Sequence, residues 1–143
     1  MYINQISVFI ENRPGRLSAI TKVLAENNID IRALSLADTT NFGILRLIVD
    51  KPSDAERILK DNGFTVSVTK VIAVRVEDKP GGMYRLLDLL YNASITVEYA
   101  YAFIARKENG AFVILRVEDN EKAADCLMSG GFELLSAEEV YSI

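Results

Sequence analysis

Glu11-Asn12-Arg13-Pro14-Gly15-Arg16-Leu17 and, 66 residues further on, Glu77-Asp78-Lys79-Pro80-Gly81-Gly82-Met83 are two versions of one segment. The correspondence extends in both directions. Upstream, Ile6, Val8 and Ile10 match Ile72, Val74 and Val76; downstream, Ile20, Leu24 and Ile29 match Leu86, Leu90 and Ile95. Later the offset grows to 68, where Gly63-Phe64 matches Gly131-Phe132. The second copy therefore carries two extra residues, placed in a hairpin near Lys107 to Gly110. Repetition at such a period means that one structural unit is built twice. The boundary falls near residue 70, giving one repeat over residues 1–70 and another over 71–143.

Each copy reads in the same order. Ile6, Val8 and Ile10 alternate with Ser7, Phe9 and Glu11, a strand with one strongly apolar face. Pro14 suits a first helical position, where no N–H is needed. Leu17, Ile20, Val23 and Leu24 follow at helical spacing, and Asn27-Asn28 ends the helix. Strands are expected over Ile29–Asp38 and Ile44–Asp50, joined by a turn through Asn41 and Gly43. Ser53 and Glu56 have the spacing of a capping box for a second helix reaching Asp61. Gly63 stops that helix, and Phe64–Val68 forms a fourth strand. The pattern is βαββαβ, twice: an α+β, ferredoxin-like fold, with helices on one face of an antiparallel sheet. No Gly/Pro/Ser linker separates the copies, and 65–76 alternates without a turn residue. Either the repeats join in an unusual way or one long strand serves both.

Composition limits the function. Half of the 143 residues are hydrophobic, enough for a packed core. A net charge of −4 and no Lys/Arg cluster argue against nucleic acid and anionic membranes. No apolar run is long enough to span a bilayer, and nothing near Met1 reads as a secretory leader. The single cysteine, Cys126, excludes an internal disulfide and suits a cytoplasmic protein. With no histidine, Ser-His-Asp and Cys-His catalysis in their usual forms are excluded, and the commonest transition-metal ligand is missing. No cofactor or metal site is expected, and no enzymatic activity.

The segment Glu-Asn-Arg-Pro-Gly-Arg-Leu leading into a helix, within βαββαβ, resembles the ACT domain family of amino-acid-binding regulatory modules. The likeness covers essentially the whole chain in two copies and is similar to stand-alone tandem ACT proteins. It implies a free amino acid held at the turn between first strand and first helix, near a second-strand segment of a neighbouring unit. Carried onto this chain, the contacts are Asn12, Arg13, Pro14, Gly15, Arg16 and Leu17, with Ala37 and Asp38, in the first copy. In the second they are Asp78, Lys79, Pro80, Gly81, Gly82 and Met83, with Tyr99 and Tyr101. The second copy departs from the pattern at Gly82 and Met83, so the first loop is expected to matter more. The physics agrees with the assignment. First-turn amides of a helix attract a carboxylate, a glycine permits close approach, and Asn12 or Asp78 can accept from an ammonium. The aromatic stripe of Val97, Tyr99, Tyr101 and Phe103 suggests a ring-bearing ligand. The resemblance further implies a partner enzyme in amino-acid or aryl-acid metabolism. The competing reading is a homodimeric interaction scaffold, or regulatory subunit, with a vestigial pocket. In that reading Pro-Gly merely starts a helix, and Phe9, with Leu47 or Ile48, forms an apolar outer sheet face.

Overall fold

The computed structural model describes residues 2–103 and 110–142. In the first repeat, β1 (Ile3–Glu11), α1 (Arg16–Glu26), β2 (Ile31–Asp38), β3 (Phe42–Val49) and α2 (Pro52–Asp61) follow in order. β3 pairs antiparallel with both β1 and β2, with Ile6 opposite Leu47 and Leu36 opposite Leu45. Ile6, Val8, Ile10, Leu45, Leu47 and Val49 pack with Ile20 and Leu24 of α1 and Ala55 and Leu59 of α2. These are the positions that the two periodicities place on facing surfaces. Leu47 thus belongs to the helix-side core. Ile48 takes the other face and is buried, whereas Phe9 on that face is half-exposed.

β4 then runs Thr65–Val76 as a single strand of 12 residues. This is the long-strand alternative. The division between two compact units falls within it, Asn4–Thr69 belonging to one and Lys70–Tyr141 to the other. The second unit continues with α3 (Gly82–Asn92), β5 (Val97–Phe103), β6 (Ala111–Val117), α4 (Asn120–Ser129), β7 (Glu133–Leu134) and α5 (Ala137–Ser142). β6 pairs antiparallel with β4 and β5, and β7 pairs with β4, giving the ferredoxin-like order β5-β6-β4-β7. Its core joins Ile72, Val74, Val76, Val113, Leu115 and Val117 to Leu86, Leu90, Ala123 and Leu127. The fold is α+β with two ferredoxin-like repeats. The extra residues expected near Lys107 to Gly110 lie, up to residue 109, outside the described residues.

Helix ends repeat as faithfully as the core. After α2, the Gly63 amide donates to Lys60 O and the Phe64 amide to Leu59 O; after α4, Gly131 and Phe132 donate to Met128 O and Leu127 O. Asn28 and Ser94, at φ 56° and 58°, take the glycine's place after α1 and α3. All four are Schellman closures. Helix starts differ from expectation. The Ser53–Glu56 capping box does not form: α2 begins at Pro52, with Lys51 as an N-cap that makes no side-chain bond. Proline's fixed φ and missing N–H suit the first helical position, so Ser53 is already inside the helix. The same spacing at Ser136 and Glu139 does form a reciprocal box, opening α5. The Ser136 amide donates to Glu139 Oε2 at 2.7 Å, and the Glu139 amide to Ser136 Oγ at 3.2 Å.

Candidate functional site

Pro14 and Gly15 do not start the helix; they form the turn before it. The Arg16 amide donates to Arg13 O at 3.4 Å, and Gly15 has φ 85° and ψ −8°. Pro at the second position and a positive-φ glycine at the third define a type II turn. The second copy repeats it: the Gly82 amide donates to Lys79 O at 3.1 Å, with Gly81 at φ 90° and ψ −11°. A Cβ on Gly15 or Gly81 would meet nothing within 4 Å. The glycines are thus required by backbone conformation, and the space above them is open. Helices α1 and α3 begin at the next residue, whose amide closes the turn, and the amides that follow it in the first turn have no intrahelical partner.

The loop cations are engaged alike in the two copies. Arg13 Nε lies 2.8 Å from Glu11 Oε2, and Lys79 Nζ 2.6 Å from Glu77 Oε2. The Lys79 hydrogen bond and charge hold the Glu77 carboxyl below its ordinary range. In the first copy the Asn12 amide donates to Asn41 O at 3.0 Å, and Asn12 Nδ2 to Asp38 Oδ1 at 2.9 Å. Asp38 at the end of β2 is therefore brought to the loop of its own repeat. Asn12 through Gly15 are exposed, as are Ala37 and Asp38. Arg16 bends back over the Phe64 ring at 5.2 Å, its Nε buried without a partner. Leu17 is partly exposed, whereas Met83 at its matching position packs against the second core.

The copies diverge at Gly82. A Cβ there would collide with the Glu77 carbonyl oxygen, so the second loop closes down more tightly on its own strand end. Beside it lies a cavity of about 220 Å³ bordered by the loop from Glu77 through Lys79 to Gly82 and by Tyr84, Arg85 and Phe132. That is below the 300–1,000 Å³ typical of drug-sized ligands, and so suits a smaller molecule. Arg85 holds its guanidinium 4.8 Å above the Phe132 ring. Tyr84, Arg85 and Phe132 were not legible as site residues. The repeat of Gly63-Phe64 at Gly131-Phe132 was the available signal, since it places a ring at the same helix exit in each copy. Tyr99 and Tyr101 do not border this cavity. Their rings stack at 6.5 Å, opposite Arg116 and Ile114, on the sheet face turned away from α3 and α4. Nothing is described of the Phe103 side chain. Among the described residues no group of acidic, cysteine or histidine side chains could hold a metal, and no helix is long and apolar enough to cross a membrane.

A duplicated βαββαβ unit with an open Pro-Gly turn at each helix entrance defines the class: paired ferredoxin-like modules. The chain belongs to the ACT domain pair family, which it matches over residues 1–143. It is similar to a crystal structure of a protein from Bacteroides thetaiotaomicron, with 37% identity, 100% of this chain and 98% of that chain covered, and a TM-score of 0.93. The fold is also that of the regulatory subunit of aspartate kinase from Thermus thermophilus, at 18% identity, 88% and 91% coverage and a TM-score of 0.66. The Thermus flavus subunit gives 16%, 90% and 92%, and 0.62. No curated protein matches the sequence.

Proposed function

We propose that this ACT domain pair is a non-catalytic, cytoplasmic amino-acid sensor that binds its ligand at the strand-to-helix turns and passes the signal to a partner enzyme of amino-acid or aryl-acid metabolism. The observation that carries this is the repeated type II turn at the entrance of each first helix, with open space above its glycine and, in the second copy, a cavity of about 220 Å³ beside it. A carboxylate there gains from the helix amides and from Arg85, and Glu77, which borders the cavity, supplies the opposite charge for an ammonium, with Asp78 beside it in the loop. In the first copy Asn12 Oδ1 and Asp38 play the second part. Tyr84 and Phe132 give the cavity an aromatic border, which favours a ring-bearing side chain. The fold of aspartate kinase regulatory subunits gives the reading further support.

Thermal melting with each of the twenty amino acids, followed by calorimetry, tests it. A ligand at 100 times its Kd adds about 2.7 kcal/mol, a rise of roughly 5–10 °C at this size. Silence from all twenty in both measurements discards the sensor. The remaining reading is then a homodimeric scaffold or regulatory subunit with a vestigial pocket, which the half-exposed Leu34 and Leu36 on edge strand β2 favour.

A further inference from the structure

The two repeats act as controls for one another, and they part at the end of the unit opposite the Pro-Gly turn, where the chain leaves α1 or α3. Asn28 and Ser94 hold matching places there. Both have positive φ, and the amides that follow them, of Ile29 and Ile95, donate to Leu24 O and Leu90 O at 3.0 and 2.9 Å. Asp50 and Glu118 match as the residues after β3 and β6, and Lys51 and Asp119 match as the N-caps of α2 and α4. In the first repeat this end is closed by its own cation. Lys51 Nζ donates to Asn28 O at 2.6 Å and lies 4.0 Å from Asp50 Oδ2, while the Asp30 amide donates to Asp50 Oδ1 at 2.9 Å. The ammonium sits at the C-terminal end of α1, where the carbonyls favour positive charge.

In the second repeat Asp119 stands in place of Lys51, and Thr96 in place of Asp30. Asp119 turns to its own helix, its Oδ1 accepting from the Lys122 amide at 3.0 Å. Among the described residues nothing donates to Ser94 O or to the Glu118 carboxylate, and Lys122 pairs with no acid. The result is an open cleft of about 760 Å³, bordered by Ser94, Ile95, Glu98, Glu118, Asp119 and Lys122 among others. That volume is of ligand-binding size. Its border carries three carboxylates against one ammonium. Arg116 Nε holds Glu98 at 3.2 Å, which leaves Glu118 and Asp119 without a counter-ion among the described residues.

We infer that this cleft is a second ligand site, and that its ligand is an aliphatic di- or polyammonium ion. One ammonium takes the place that Lys51 Nζ holds in the first repeat, between Ser94 O at the end of α3 and the Glu118 carboxylate. An ammonium carries three donors and so serves both acceptors at once. A second ammonium lies toward Asp119, and Ile95 borders the methylene chain between them. Among the described residues no three acids cluster closely enough to hold a metal ion, which suits a cation whose charges are spread along a chain. The site is separate from the Pro-Gly turn and stands whether or not an amino acid binds there.

Calorimetry with diaminobutane, spermidine and n-butylamine is the test, in about 150 mM salt, where exposed charges more than about 8 Å apart are largely screened. The wild type should bind one diaminobutane per chain, with n-butylamine weaker and spermidine tighter. Glu118→Gln should weaken diaminobutane at least about tenfold, as for a lost hydrogen bond to a charged group. Glu121→Gln removes the same charge from α4 outside the cleft and should stay within about twofold. Asp119→Lys restores the cation of the first repeat and should abolish binding, with an unchanged circular dichroism spectrum. Should that variant fail to fold, the two glutamine variants decide alone. Absence of heat and of any melting shift with all three amines at millimolar concentration overturns the inference. Equal losses in Glu118→Gln and Glu121→Gln overturn it too, since they mean general attraction to an acidic surface. So does full binding by a folded Asp119→Lys variant, or n-butylamine bound as tightly as diaminobutane.

Discussion

The sign of φ at Gly15 decides how the loop can be tested. A bulky residue there is strained by the backbone even though the space is empty, so Gly15→Val does not isolate ligand blockage from folding. Gly15→Ala and Gly81→Ala should each cost about 1–2 kcal/mol, the usual penalty of the left-handed region, read from urea denaturation. A neutral Gly15→Ala would mean that the turn is of another type. Gly82→Ala should cost more than Gly81→Ala, because its Cβ meets the Glu77 carbonyl, whereas the first copy accommodates Arg16 at the matching position. Equal losses would show that the second loop relaxes freely. The Pro-Gly pair was legible in position but not in conformation. Proline at a first helical position and proline at the second position of a type II turn need the same φ, so sequence cannot separate them. The helices begin at Arg16 and Gly82, after the glycines.

Elements were legible where periodicity and glycine both speak. The strand and helix cores, the Gly63 stop and the Asn27-Asn28 stop stand where the apolar spacing placed them. Starts were less legible, because Ser-x-x-Glu occurs at both Ser53 and Ser136 and only context chooses between them. Pro52 displaces the first, whereas Ser136 follows Leu135, whose amide is fixed on Ala73 O at 2.9 Å, and the chain is free to turn into α5. Ser136→Ala should destabilise by about 0.5–2 kcal/mol, as for other lost caps. Its partner gives the box a pH dependence. The Ser136 amide and hydroxyl hold the exposed Glu139 carboxyl below its ordinary range. A carboxylate depressed in the folded state stabilises above its unfolded pKa, and the contribution disappears as pH falls through the folded pKa. The gap in urea midpoint between wild type and Glu139→Gln should therefore be present at neutral pH and close on acidification. A gap constant down to about pH 3 would remove Glu139 from the cap.

At the scale of the molecule, duplication made the fold readable and hid the difference between the copies. Matching spacings identify two βαββαβ units, but not the single strand Thr65–Val76 that closes one and opens the other, because uninterrupted alternation fits one strand or two. The site was legible only as far as the turn. Tyr84, Arg85 and Phe132 come together through α3 and the exit of α4, which no local motif records. Sequence favours the first loop, where Asn12 through Leu17 follow the family pattern. Geometry favours the second, where Arg85 and Phe132 border a half-open cavity, whereas the first-copy cation Arg16 is folded onto Phe64 with its Nε already buried. A matched pair of variants that spares both turns separates these expectations. Arg85→Met keeps the packing over Phe132 and removes the charge at the cavity; Arg16→Met does the same over Phe64. For the amino acid that raises the melting temperature, calorimetry should give one strong site per chain. Arg85→Met should weaken it by at least about tenfold, the equivalent of a 1.4 kcal/mol charge contact, and Arg16→Met should leave it within about twofold. The reverse ranking would return the site to the first loop, and equal losses with two sites per chain would make the repeats functional equals despite their different loops.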